Sequence, residues 1–113
     1  MWLLDVNMPR KIAAILGEFG IVAETAETRG WSDLTNGMLV EAAVLAGFNC
    51  VLTRDRLFSE SAVRALKRYP QFCVVLVTIP QLRGPEFVEQ FRLAWSRSPI
   101  QPGAGLLLHW PDR

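Results

Sequence analysis

Short apolar runs alternate with segments of helical spacing along the whole chain. The run WLLDV at residues 2–6 predicts a strand that ends in Asp5, Val6 and Asn7. Pro9 suits the first turn of a helix, and Ile12, Ala13, Leu16 and Phe19 recur at helical spacing until Gly20 closes it. IVAETA at 21–26 predicts a second strand. The stretch 27–37, ETRGWSDLTNG, is a loop punctuated by Gly30, Ser32, Asp33, Asn36 and Gly37. Residues 38–48, MLVEAAVLAGF, are apolar on nearly every face and predict a buried helix, capped by Asn36 or Thr35 and ended by Gly47.

CVLT at 50–53 is the third strand. Ser59 is placed to cap the helix SAVRALKR, with Glu60 in its first turn, Lys67 and Arg68 in its last, and Pro70 beyond as a stop. FCVVLVTI at 72–79 is apolar on both faces, as an interior strand of a parallel sheet requires. Pro85 opens an amphipathic helix with Phe87, Val88, Phe91 and Trp95 on one face, and GLLLHW at 105–110 is the last strand. The alternation predicts a single α/β domain over residues 1–113, a three-layer α/β/α sandwich around a mostly parallel sheet. Ligands of such sheets sit outside the carboxyl ends of the strands, so Asp5 and Asp55 are expected on one rim.

Composition narrows the chemistry. Half of the 113 residues are apolar, and the net charge of +1 lacks the basic excess that would announce nucleic acid, though a local patch is compatible with it. Cys50 and Cys73 both lie in apolar runs. With no CxxC and one histidine, His109, they read as buried free thiols in a reducing compartment rather than zinc ligands. Asp5 interrupts the N-terminal apolar stretch, and no run nears the roughly 20 apolar residues of a membrane span. The expectation is a soluble, cytoplasmic protein with no membrane partner.

Two places carry candidate chemistry. In VLTRDRLF, residues 51–58, Asp55 stands between Arg54 and Arg56 just beyond the third strand. Glu41 is the single charged side chain between Gly37 and Thr53. A carboxylate in an apolar helix must find a cation, a metal or water. It either pairs with an arginine such as Arg54 or leans over the rim with Asp5 and Asp55 to hold a magnesium or manganese ion. Asn7 and Asn36 lie close to that rim, each with helix capping as its ordinary role, and Asp33 is an acid of the loop. Arg54 and Arg56 could steer a phosphate or neutralise the acids. Trp2, Trp31, Trp95 and Trp110 are too scattered in sequence for a stacking platform.

LLDVNMP, TRGWSDLTNGMLVEAA and VLTRDRLF together resemble the PIN-like family of small bacterial proteins related to the VapC-type toxin ribonucleases. The resemblance runs from about residue 2 to residue 60. It implies a PIN-like sandwich whose acidic pocket binds magnesium or manganese and cleaves RNA. Asp5 matches the family's first acid, Asp55 the acid of its TxD segment, and Asn36 and Gly37 its NG step. Relatives often carry a glutamate where this chain has Met38, and Glu41 lies close to one helical turn further on. Implied with the activity are catalytic and metal-ligating roles for Asp5, Glu41 and Asp55, and substrate contacts from Asn7, Asn36, Arg54 and Arg56. Also implied is an antitoxin or second-copy partner, which Trp95 and Trp110 could contact if exposed. Phosphoacceptor receiver domains share the length, the acid after strand three (Asp55) and the threonine after strand four (Thr78). They use an adjacent pair of early acids and a lysine after strand five, and here Asp5 stands alone and the lysines are Lys11 and Lys67.

Overall fold

Backbone groups of a short strand must be paired on both sides unless the strand lies at an edge. In the computed structural model five strands satisfy this in one all-parallel sheet: β1 (Trp2–Leu4), β2 (Ala23–Thr25), β3 (Cys50–Thr53), β4 (Cys73–Val77) and β5 (Leu107–Trp110), in the order β2-β1-β3-β4-β5. Four helices, α1 (Lys11–Glu18), α2 (Asn36–Leu45), α3 (Arg56–Arg68) and α4 (Gly84–Arg97), connect them. The description covers residues 1–111, and the side chains of Ser59 and Glu60 lie outside it. The expected α/β fold is what forms, with every strand pair parallel.

Side chains alternate across the sheet, as strand geometry dictates. Trp2, Leu4, Cys50, Leu52, Cys73 and Val75 pack with Ile12, Ile15 and Leu16 of α1 and with Phe87 and Phe91 of α4. Leu3, Val51 and Val74 pack with Leu39, Val40 and Ala43 of α2 and with Phe58, Ala62 and Leu66 of α3. Each face therefore carries two helices. This partition also sets the hand of the crossovers. From β1 the chain moves one way to β2 with α1 on the first face; from β2 to β3 and from β3 to β4 it moves the other way with α2 and α3 on the second. Those three connections share one hand. The step from β4 to β5 continues in the same direction with α4 on the first face, so it has the opposite hand, against the strong preference for right-handed crossovers.

Aromatic packing holds α4 there. Trp95 stacks on Phe19 at the end of α1 (4.8 Å between ring centroids, 12° between planes), and Phe91 meets Trp110 edge-on at 5.0 Å. Arg92 reaches Glu18 at 3.0 Å. Three tryptophans far apart in sequence thus share one core cluster: Trp2, Trp95 and Trp110. Trp110 is buried, its indole Nε1 donating to the Ser98 carbonyl at 2.7 Å, and Trp95 is half-buried among these rings. Neither is the exposed partner contact that the sequence suggested.

Two helices differ from expectation. α2 is not buried all round: Leu39, Val40 and Ala43 face the core while Met38 and Leu45 face solvent. Its uniform apolarity hid which face would pack, because a helix without a polar face gives no direction. Thr35 is its N-cap without a side-chain bond, and Gly47, at φ 93, supplies the left-handed residue that ends it. α3 begins at Arg56, three residues before Ser59, because Asp55 caps it: Oδ1 accepts from the Leu57 amide at 2.9 Å.

Two outcomes follow for the core. Phe91 is fully buried between α1, α4 and the sheet, so Phe91→Ala is expected to lower stability by about 3–5 kcal/mol in urea titration, a large part of a total of about 5–15. Cys50 and Cys73, neighbours in register on β3 and β4, are both free and buried. Burial pushes both thiols up, and their mutual proximity raises Cys50 further. Raised folded-state values mean a stability contribution fully present below the ordinary thiol value of about 8.5 and lost as pH climbs above it. Iodoacetamide at pH 8 should label neither thiol in the native protein and both in urea, and the urea midpoint should fall above about pH 9.

Candidate functional site

β1 and β3 are hydrogen-bonded neighbours, and the chain leaves them in opposite lateral directions, toward β2 and toward β4. A crevice opens outside the carboxyl ends of two such strands, at the switch in strand order. The register Leu4–Leu52 sets Asp5 beside Thr53, and the Asp5 amide donates to the Leu52 carbonyl at 2.9 Å. Asp5 is 8% exposed and Thr53 fully buried. A carboxylate so placed needs donors aimed at both oxygens. Oδ1 accepts from the Val6 amide at 2.8 Å, and Oδ2 from the Thr53 hydroxyl at 2.7 Å.

Thr53 then does more than hold Asp5. Its Oγ1 also accepts from the Asp55 amide at 3.1 Å and from Asn7 Nδ2 at 3.3 Å. Asn7 bridges the two loops, since Nδ2 also lies 3.4 Å from Asp5 Oδ2 and Oδ1 accepts from the Arg54 amide at 3.0 Å. Asn7 does not cap α1, whose N-cap position is Arg10, without a side-chain capping bond. Asp5, Asn7, Thr53, Arg54 and Asp55 form one connected unit on one rim. Sequence reasoning placed Thr53 at the end of an apolar run and as the first residue of the TxD segment, without a role of its own. The available signal was a hydroxyl at the last position of a strand, two residues before an acid.

The remaining candidates lie around this unit. Asp55 is half-buried at the start of α3 and caps it through Oδ1. Arg56, the first residue of α3, is exposed. Arg54 does not pair with Glu41; its guanidinium carbon sits 4.9 Å from the ring centroid of Phe87 on α4. Asn36 is half-buried as the first residue of α2, and Asp33 is exposed in the loop before it. Glu41, half-buried in mid-α2, belongs to the helical layer over the face to which Asp5 and Thr53 alternate. Met38 is exposed one turn before it. His109 is exposed on the edge strand β5.

Among the described residues no group of three or more His, Cys, Asp and Glu side chains stands close enough to hold a metal ion, so Glu41 is not drawn together with both aspartates. Two carboxylates with a hydroxyl and an amide oxygen nearby nevertheless make an all-oxygen donor set. Magnesium is ordinarily held by one or two carboxylates and otherwise by waters and substrate phosphate. Asp5 and Asp55 fit that share, and manganese takes the same donors. The receiver layout has the strand order in its favour. Its chemistry does not fit: Thr78 gives its hydroxyl to the Pro111 carbonyl at 2.9 Å, and Asp5 stands without an adjacent second acid.

The network fixes which substitutions disturb the fold. Thr53→Val leaves Asp5 Oδ2 and the Asp55 amide without their partner and is expected to cost about 1–3 kcal/mol in thermal or urea unfolding, while Thr53→Ser is tolerated. Asp55→Ala loses a helix cap at about 1 kcal/mol, and Asp55→Asn keeps it.

No family model matches the chain, and neither the curated proteins nor the solved structures compared with it give a match.

Proposed function

We propose that this protein is a metal-dependent ribonuclease of the PIN-like type, the toxin of a toxin–antitoxin pair acting in the cytoplasm. One observation carries the proposal: the Asp5 carboxylate and the backbone amide of Asp55 meet on a single buried hydroxyl, Thr53, at the switch point of a parallel sheet. Asp5 and Asp55 would hold a magnesium or manganese ion, which when bound supplies an activated water and offsets charge on the scissile phosphate. Thr53 and the Val6 amide keep the Asp5 carboxylate oriented before any ligand arrives. Such preorganisation spares reorganisation at the moment of reaction. Glu41 would join from α2 as an outer ligand through water, and Asn7, Asn36, Arg54 and Arg56 would line the path of the RNA. An antitoxin-like protein or a second copy is the partner that such a toxin calls for.

A second reading has its own support: a non-catalytic PIN-like binding module. Asp55 Oδ1 is engaged as a helix cap, and no third carboxylate is grouped with the two aspartates among the described residues. Incubation of unstructured RNA with the protein in magnesium or manganese separates the two. Cleavage by the wild type is expected, lowered in Asp5→Asn and in Asp55→Asn by at least about a hundredfold, the upper end of what losing a supporting group costs at a metal site. Asp55→Asn should melt as the wild type does, since its amide oxygen still caps α3. Asp5→Asn turns one of two accepting oxygens into a donor and is expected to cost about 1–3 kcal/mol, so circular dichroism must show it folded at the assay temperature. Glu41→Gln should lower cleavage less than either. A wild type that cleaves nothing, and binds no divalent ion by calorimetry, sinks the enzyme and leaves the binding module.

A further inference from the structure

Arg54 is held more tightly than a surface arginine. Its amide is bound to Asn7, and its guanidinium lies against Phe87, a fully buried ring in the first turn of α4. Nε is buried and has no acceptor. Among the described residues the guanidinium makes no hydrogen bond or ion pair, and it lies on the α4 side of the sheet, across from the face toward which the Asp5 side chain alternates. Both aspartates already accept from other donors, Asp5 from Val6 and Thr53 and Asp55 from Leu57. Nη1 and Nη2 have no partner either and are not fully buried.

The side chain is thus a planar fork clamped at its base and open at its tip. A cation that is partly desolvated and unpaired inside the protein favours an anionic ligand over water. Guanidinium geometry matches two oxygens of a phosphate at once, and a fork fixed beforehand loses little entropy on engaging them. The turn that supplies the Phe87 floor has Arg83 as its N-cap, no side chain capping its first amides, and Glu86 as its one acid. Only the opposite-handed β4–α4–β5 connection brings this turn to the face toward which Arg54 points.

We infer that Arg54, seated on Phe87, is a phosphodiester subsite that grips the phosphate of an RNA strand next to the scissile one. This deepens the ribonuclease reading and rests on it for the identity of the strand; the grip itself requires neither metal nor cleavage.

Fluorescence anisotropy of a labelled single-stranded RNA oligonucleotide in EDTA tests it, at several salt concentrations. Arg54→Gln is expected to weaken binding about tenfold and to lower the salt slope by about one, the signature of one lost phosphate contact. Arg54→Lys, which keeps the charge and loses the fork, should fall between. Arg97→Gln, at the other end of α4, should change neither quantity. Millimolar inorganic phosphate should compete with the RNA for the wild type and not for Arg54→Gln. Wild-type affinity and slope in Arg54→Gln, phosphate competition that survives the substitution, or a wild type that binds no RNA would each overturn the subsite. If Arg54→Gln fails to fold, the Arg54→Lys intermediate and the phosphate competition on the wild type decide. RNA binding that depends on Arg54 without any cleavage keeps the subsite and removes the ribonuclease. Cleavage with an unchanged KM in Arg54→Gln does the reverse.

Discussion

A sheet whose five strands all run parallel has two apolar faces to cover, and the described chain has four helices with which to do it. Crossovers of one hand throughout would set α2, α3 and α4 together and leave α1 alone opposite them. Cys73, Val75 and Val77 would then face water on that side. Burial of a single such side chain is worth about 1.5–3 kcal/mol, so several together outweigh the preference for one hand. α4 crosses the other way and closes the face with Phe87, Phe91 and Trp95. The aromatic cluster around Trp95 and the Glu18–Arg92 pair record where that helix settles.

The same constraint shapes the rim. Because α4 lies beside α1, its first turn meets the loop that leaves β3, and Phe87 becomes a floor for Arg54. On the opposite face α2 and α3 enclose the side toward which Asp5 and Thr53 alternate. An acid at the end of β1 is therefore buried, and burial obliges it to find donors. Thr53 answers from the neighbouring strand, and through it the β1 and β3 loops become one hydrogen-bonded unit. Asp55 stabilises the start of α3 while it stands in the candidate site, so the stability and the chemistry of that residue are coupled. Only a replacement that still caps the helix separates them.

The strands and helices were legible in the sequence because each has a period of its own. CVLT became β3 without a shift of boundary, and Phe87, Val88 and Phe91 mark the inner face of α4 by spacing alone. The placing of Asp5 and Asp55 on one rim was legible too, since parallel strands end on the same side and acids just past strand ends must meet there. Tertiary structure alone decided the rest. Nothing local told which face of α2 would pack, because its apolar residues run all round. The start of α3 was not legible for a related reason: Ser59 and Asp55 are both good caps by residue type, and the structure uses Asp55, whose amide is held by Thr53. The gathering of Trp2, Trp95 and Trp110, the separation of Arg54 from Glu41 and the hand of the last crossover depend on strand order. Strand order is chosen by how whole faces are covered, a sum over residues distant in sequence that no local pattern encodes.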